Sequence, residues 1–184
     1  ALFVAFLLLQ EGNGLQRMFL PLRAEAEGFT ALARGLVMAA HFSGYLVGAR
    51  LIRTMLTSVG HIRAFAALAS TASAAVLVNA VIVLPVSWML VYFIGGICNA
   101  GVFVVLESWL NDRASNETRG KILGWYMMIM MGGTAGGLLL VNLGSAEGFE
   151  MFVLSSVLIS AAVIPVTLSA SSAPPMPSTE QMSI

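Results

Sequence analysis

Apolar residues in this chain come in six blocks, each near the ~20 residues that cross about 30 Å of hydrocarbon, and most of the charge sits in the gaps between them. A soluble helix alternates an apolar stripe with a charged face, whereas here the apolar residues run in long blocks and so call for lipid or other apolar helices. Composition agrees: of 184 residues, 58% are hydrophobic and 10% charged, and the mean hydropathy is +0.90, outside the balance of a soluble domain. The spans read as residues 1–20, 31–52, 64–84, 86–110, 122–143 and 151–168, with Pro21 closing the first and Pro85 marking the turn between the third and fourth. The first block, which opens at Ala1 with no basic leader or small-residue cleavage site, reads as a truncated helix rather than a signal peptide. Residues 169–184, SASSAPPMPSTEQMSI, have too little apolar surface to order as a core and read as the start of a linker.

Lys and Arg in short loops set the expected orientation. Arg53, His61 and Arg63 fall between spans two and three, and Arg113, Arg119 and Lys121 between spans four and five, so these two loops are expected in the cytoplasm. The opposite loops are acidic or neutral, with Glu25 and Glu27 after Arg23, Pro85 alone, and Glu147 with Glu150. Both the N-terminus and residues 169–184 are then cytoplasmic. Spans one and four are each followed by a polar loop, and these loops lie on opposite faces, which predicts an inverted three-plus-three arrangement. The fold class expected is therefore all-α, a polytopic bundle of six transmembrane helices. The formal charge is zero, so nothing pulls the chain toward nucleic acid.

Ionisable and polar residues within spans are where function is expected, because each carries an insertion cost and faces protein or water. Gln10, Asn13 and Arg17 recur at helical spacing, with Glu11 about 100° away from Gln10. The stripe either lines an aqueous path or serves packing, with Arg17 reaching the outer surface and Asn13 bonding a neighbouring helix. His41, with Ser43 close by, lies near the middle of span two, either as a proton-carrying group or as a structural hydrogen bonder. In span four, Tyr92 and Asn99 share a side, and Glu107 lies further toward the cytoplasm. Glu107 either pairs with Arg50 or Arg53 across the inner mouth or meets Arg113. The candidate path is thus Glu11, Asn13, Arg17, His41, Tyr92 and Asn99, and the candidate cytoplasmic gate is Arg53, Gly60, Arg63, Glu107, Arg113 and Arg119. Gly44 with Gly48, Gly132 with Gly136, and Gly133 with Gly137 have the four-residue spacing that lets helix backbones approach closely.

Gly44-Tyr-Leu-Val-Gly48 followed by Val59-Gly60-His61-Ile62-Arg63 resembles the region between helices two and three of bacterial transporters of the major facilitator superfamily (MFS). Glu107-Ser108-Trp109-Leu110-Asn111-Asp112-Arg113 and Asn116-Glu117-Thr118-Arg119-Gly120 resemble the helix four to five region of a bacterial branch of it. The resemblance runs along nearly the whole chain and implies the N-terminal six-helix half of a secondary transporter in a bacterial inner membrane. It further implies alternating access, uptake or efflux of a small molecule coupled to an ion gradient, and a second six-helix half following Ile184. The sequence departs from the family pattern in three places. Thr57 and Ser58 stand where the loop motif carries an acidic and a basic residue, Tyr92 stands where many proton-coupled members carry arginine, and Gly133 stands where the antiporter motif has proline.

An enzymatic role is not expected. There is no Gly-x-Ser-x-Gly turn, no His-Glu-x-x-His pair, no phosphate-binding loop, and Gly12-Asn-Gly14 lacks the third glycine of a dinucleotide fingerprint. No metal or cofactor is expected, and the lone Cys98 excludes an intramolecular disulfide within these residues. The alternative to a transporter half is a small six-helix membrane protein acting as a homodimeric carrier or a non-transporting scaffold.

Overall fold

The computed structural model describes residues 1–145 and 148–169, so the linker expected at residues 169–184 lies, apart from Ser169, outside the described residues. Among them every regular element is helical: α1 (Leu2–Ala26), α2 (Ala31–Val59), α3 (His61–Val81), α4 (Pro85–Arg113), α5 (Arg119–Leu140, extended by a 3-10 turn over Val141–Leu143), α6 (Glu150–Ala161) and α7 (Val163–Leu168). Five stretches are long and apolar enough to cross a membrane: α2, α3, α4, α5 with its extension, and α6 with α7. At 25 residues α1 has the length, but Gln10, Glu11, Asn13, Gln16 and Arg17 interrupt its apolar run and it is not among the five.

The helices depart from the expected spans in three places. Pro21 does not close α1, which continues to Ala26. The ring removes one N–H from the ladder, but Phe19, Leu20 and Ala24 on either side are fully buried and hold the helix through it. Between α2 and α3 there is no loop, and Arg53 and Arg63 lie on helices with Gly60 alone between them. Gly60 has φ +80°, a left-handed conformation that costs glycine nothing. Its N–H donates to the Leu56 carbonyl and its own carbonyl accepts from Ala64, so one residue ends α2 and begins α3. The last span is broken at Ala162, because Pro165 has no N–H to give to the Ala161 carbonyl.

Packing pairs α2 with α4, α1 with both α5 and α6, and α3 with both α4 and α6. The tightest seams are glycine-lined. A Cβ on Gly48 of α2 would stand 2.6 Å from the Ile97 carbonyl oxygen of α4, and one on Gly44 would press on the Phe93 carbonyl; Gly96 of α4 faces the His41 carbonyl in the same way. On the other seam, Gly133 of α5 abuts Gln10 and Leu7, Gly137 abuts the Glu11 carbonyl, and Gly14 of α1 abuts the Thr134 carbonyl. The expectation that Gly132 and Gly136 also mark close approach is corrected. Among the described residues, a Cβ at Gly132 would meet nothing within 4 Å, and one at Gly136 would meet only the Glu11 side chain, at ordinary contact distance. These two residues sit about 100° round α5 from the seam glycines.

Polar ties complete the bundle. Ser73 of α3 meets Ser156 (2.7 Å) and Ser160 (2.6 Å) of α6. Ser155 of α6 donates to the Gly12 carbonyl (2.9 Å). The Trp88 indole donates to the carbonyls of Asn79 and Ile82, both at 3.0 Å, and so staples the α3–α4 turn. In an apolar surrounding each such bond spares a polar group an unsatisfied state.

Candidate functional site

Helices α1, α2, α4 and α5 enclose a cleft of about 550 Å³, a size suited to a small organic ligand. Gln10 and Arg17 reach it from α1, His41, Phe42 and Tyr45 from α2, and Phe103 from α4; α5 contributes Met130, Met131, Thr134, Ala135 and Leu138. Helical periodicity explains the set: Tyr45 follows His41, and Thr134 follows Met130, by four residues, so each pair shares a helix face. The walls are aromatic, methionine and leucine side chains, with a few polar groups set among them.

Those polar groups differ in how well they are satisfied. The Gln10 amide donates to Thr134 Oγ1 (3.3 Å), and the Thr134 hydroxyl donates onward to the Met130 carbonyl (2.7 Å), tying α1 to α5 at the cleft wall. Buried Oε1 of Gln10 and Nδ1 of His41 have no hydrogen-bond partner among the described residues. The His41 ring lies 4.7 Å from that of Tyr92. Arg17 is exposed and forms no ion pair among the described residues, in contrast to Arg23 with Glu27 and Arg34 with Glu25 (2.7 Å).

Of the six residues expected along a path, the structure brings Arg17 and His41 to the cleft. Asn13 and Asn99 instead bond each other (3.2 Å) between α1 and α4. Tyr92 is buried behind His41. Glu11 is turned to α5, its carboxylate against Gly136. The residues missed are Gln10 as a wall residue, Phe42, Tyr45, Phe103, Met130, Met131, Thr134, Ala135 and Leu138. Tyr45 and Thr134 were within reach, since each lies between glycines of a packing pair, but the pairing of α1 with α5 carries no sequence signal.

The proposed gate residues lie at one end of the bundle. Arg53 and Arg63 flank Gly60 on α2 and α3, Arg113 is the last residue of α4, and Arg119, the first of α5, donates to the Asn111 side chain. Glu107 accepts a hydrogen bond from the buried Tyr126 hydroxyl of α5 (2.9 Å), a partner not expected from the sequence. Tyr126 in turn stacks on Phe6 at 5.0 Å, and Phe6 meets Phe103 edge-on at 5.7 Å. His61, expected in a loop, is buried at the start of α3. Its Nε2 meets Ser108 Oγ (3.0 Å) and stands 3.8 Å from Asp112. Both partners face one nitrogen and Nδ1 has none among the described residues, so the three side chains tie α3 to α4 and do not form a serine–histidine–aspartate relay, which engages both ring nitrogens. Among the described residues no cluster of three His, Cys, Asp or Glu side chains is placed to hold a metal ion.

No protein-family model matches the chain. Individual relatives do. The chain is 30% identical over 165 residues to a protein of Escherichia fergusonii named as an uncharacterized MFS-type transporter, YcaD, a match covering 90% of this chain and 43% of that protein. It is 34% identical over 133 residues to the YcaD proteins of Salmonella arizonae and Salmonella newport, covering 72% of this chain and 35% of each relative. The chain thus spans less than half the length of the curated relatives it matches. Those names point away from an enzyme, and together with five membrane-length apolar helices they identify a multi-pass membrane protein. The chain belongs to the major facilitator superfamily of membrane transporters.

Proposed function

We propose that the chain forms the N-terminal six-helix half of a secondary transporter that carries a small molecule by alternating access, driven by an ion gradient. The observation that carries the reading is the cleft, which lies between α1 and α2 of one helix triplet and α4 and α5 of the other. In this reading the cleft is this half's wall of a central cavity, which opens to one side and then the other as two six-helix bundles rock against each other.

The contacts support such a repeat. Exchanging α1, α2 and α3 for α4, α5 and α6 turns the α2–α4 contact into α5–α1 and the α3–α4 contact into α6–α1, and leaves α3–α6 in place. Asn13 and Asn99, 86 residues apart, meet where that exchange would map one onto the other. In this reading α1 is the sixth span, its polar residues facing protein.

Orientation and the missing partner follow the same reading. The bond from His61 to Ser108 joins the α2–α3 junction to the end of α4, collecting the basic residues Arg53, Arg63, Arg113 and Arg119 at one end, which the positive-inside rule assigns to the cytoplasm of a bacterial inner membrane. There Gly60 and Glu107 join them as gate residues. Over their most apolar stretches α2 and α5 are 22% and 17% buried, against 50% for α4. Large side chains such as Phe42, Leu46, Met131 and Leu139 are exposed on these two helices. A second six-helix half would cover such faces.

The test needs no substrate. Ala135 is replaced by cysteine in the full-length protein after its native cysteines, Cys98 included, are changed to serine, and a membrane-impermeant thiol reagent is applied to right-side-out and inverted vesicles. Alternating access predicts labelling from both faces; labelling from one face alone refutes it.

A further inference from the structure

We propose that the cleft takes a small organic anion with an apolar, ring-bearing body, the acidic group held by Arg17 and the body laid against Phe103 and Met131; this rests on the cleft being a substrate path.

Charge is the first argument. Among the described residues the lining holds one permanent cation, Arg17, together with the imidazole of His41 and the phenol of Tyr45, and no carboxylate. Glu11, the acidic residue nearest in sequence, faces Gly136 on α5. Arg17 is nine residues before the end of α1 at Ala26, or about 13 Å of helix, so it stands well within the span. An arginine there costs roughly 2.5–3.5 kcal/mol on insertion scales. Arg23 and Arg34, nearer the helix ends, each have a glutamate partner, whereas Arg17 has none among the described residues. A forked guanidinium left open over an apolar cleft suits a carboxylate or sulfonate, which it binds through two parallel hydrogen bonds.

A second feature of the same wall is the His41 ring, which adds no negative charge to set against an acidic group. A cationic ligand would meet the charge of Arg17, and a neutral one would leave the guanidinium unanswered. The rest of the lining, Phe42, Phe103, Met130, Met131 and Leu138, offers aromatic and thioether surface for a ring.

The experiment compares three probes of one shape on the purified full-length protein, in a neutral detergent free of anionic lipid, by titration calorimetry: 2-naphthoate, 2-naphthamide and 2-naphthylmethylammonium. Naphthoate is expected to bind about tenfold more tightly than the amide, the margin of one charge-assisted hydrogen bond, and the ammonium more weakly than either. Arg17→Gln should bring naphthoate to the level of the amide, and Arg17→Lys should keep part of the preference. The proposal is overturned if the wild-type protein binds naphthoate no better than the amide, including no binding at millimolar concentration, as when a carboxylate from the remainder of the protein already pairs with Arg17. It is equally overturned if Arg17→Gln retains the preference. Should Arg17→Gln not fold, the wild-type comparison alone decides. The Ala135→Cys labelling is read separately: two-sided labelling without anion preference discards the ligand class and keeps the transporter, and one-sided labelling with anion preference does the reverse.

Discussion

The α2–α4 and α1–α5 seams use the same device and put it to different ends. Each has two glycines four residues apart, Gly44 and Gly48 on α2 or Gly133 and Gly137 on α5, and each receives a further glycine from the facing helix. Along α2–α4 the contact is backbone on backbone, with Gly96 of α4 set against the carbonyl of His41. Along α1–α5 the side chain of Gln10 stands beside Gly133 and engages Thr134. A glycine seam whose contacts are all backbone leaves no room for adjustment. Inserting an amide gives the second seam a directional bond at the cleft wall, with its oxygen unanswered among the described residues.

The contrast can be broken most severely at Gly96. Gly96→Val is expected to cost about 3 kcal/mol, because the added carbons fall on the His41 backbone and α2 must move away; a thermal melt of the purified protein measures it. A melting temperature unchanged from wild type would mean that α2 and α4 are not held at this distance.

At Gln10 the expected cost is smaller. Gln10→Ala removes the bond to Thr134 and should lower stability by about 1–2 kcal/mol in the same melt. Combined with Thr134→Val the losses should fall short of additive, since both changes cut one chain of bonds. Full additivity would show that the two side chains act separately.

The Asn13–Asn99 contact, where α1 meets α4, is weaker still. A double-mutant cycle with Asn13→Ala and Asn99→Ala should give a coupling of about 0.6 kcal/mol, the usual size for a hydrogen bond between membrane helices. A coupling of zero would remove the bond as a tie between the two seams. Least affected should be Gly132→Ala, which adds a methyl to open space and should stabilise the helix by up to about 1 kcal/mol. A marked loss in the full-length protein would instead place another helix against Gly132.

Much of the fold was legible because lipid imposes a coarse and regular demand. Apolar blocks of a span's length locate helices whatever packs against them, and the turn at Pro85 was readable because proline starts a helix well. The errors fell where packing overrode a local signal. Pro21 reads as a terminator, yet buried neighbours carry α1 past it. Arg53 and Arg63 read as loop residues, yet the positive φ of Gly60 lets two helices join across one position. At the candidate site, Arg17 and His41 were visible as polar residues in apolar spans, while Phe103, Met130 and Met131 look like any other apolar residue of a span.

By itself, the sequence determined that this chain crosses a membrane as helices, which helices carry polar groups, and which family it resembles, because each of these depends on residue type and spacing along one chain. Only the tertiary structure decided that Glu11 turns to α5 while Arg17 stays open, that Asn13 answers Asn99, and that Glu107 answers Tyr126. Those outcomes depend on which helix faces which, and in an apolar medium each polar group is settled by the partner within reach after the helices have packed.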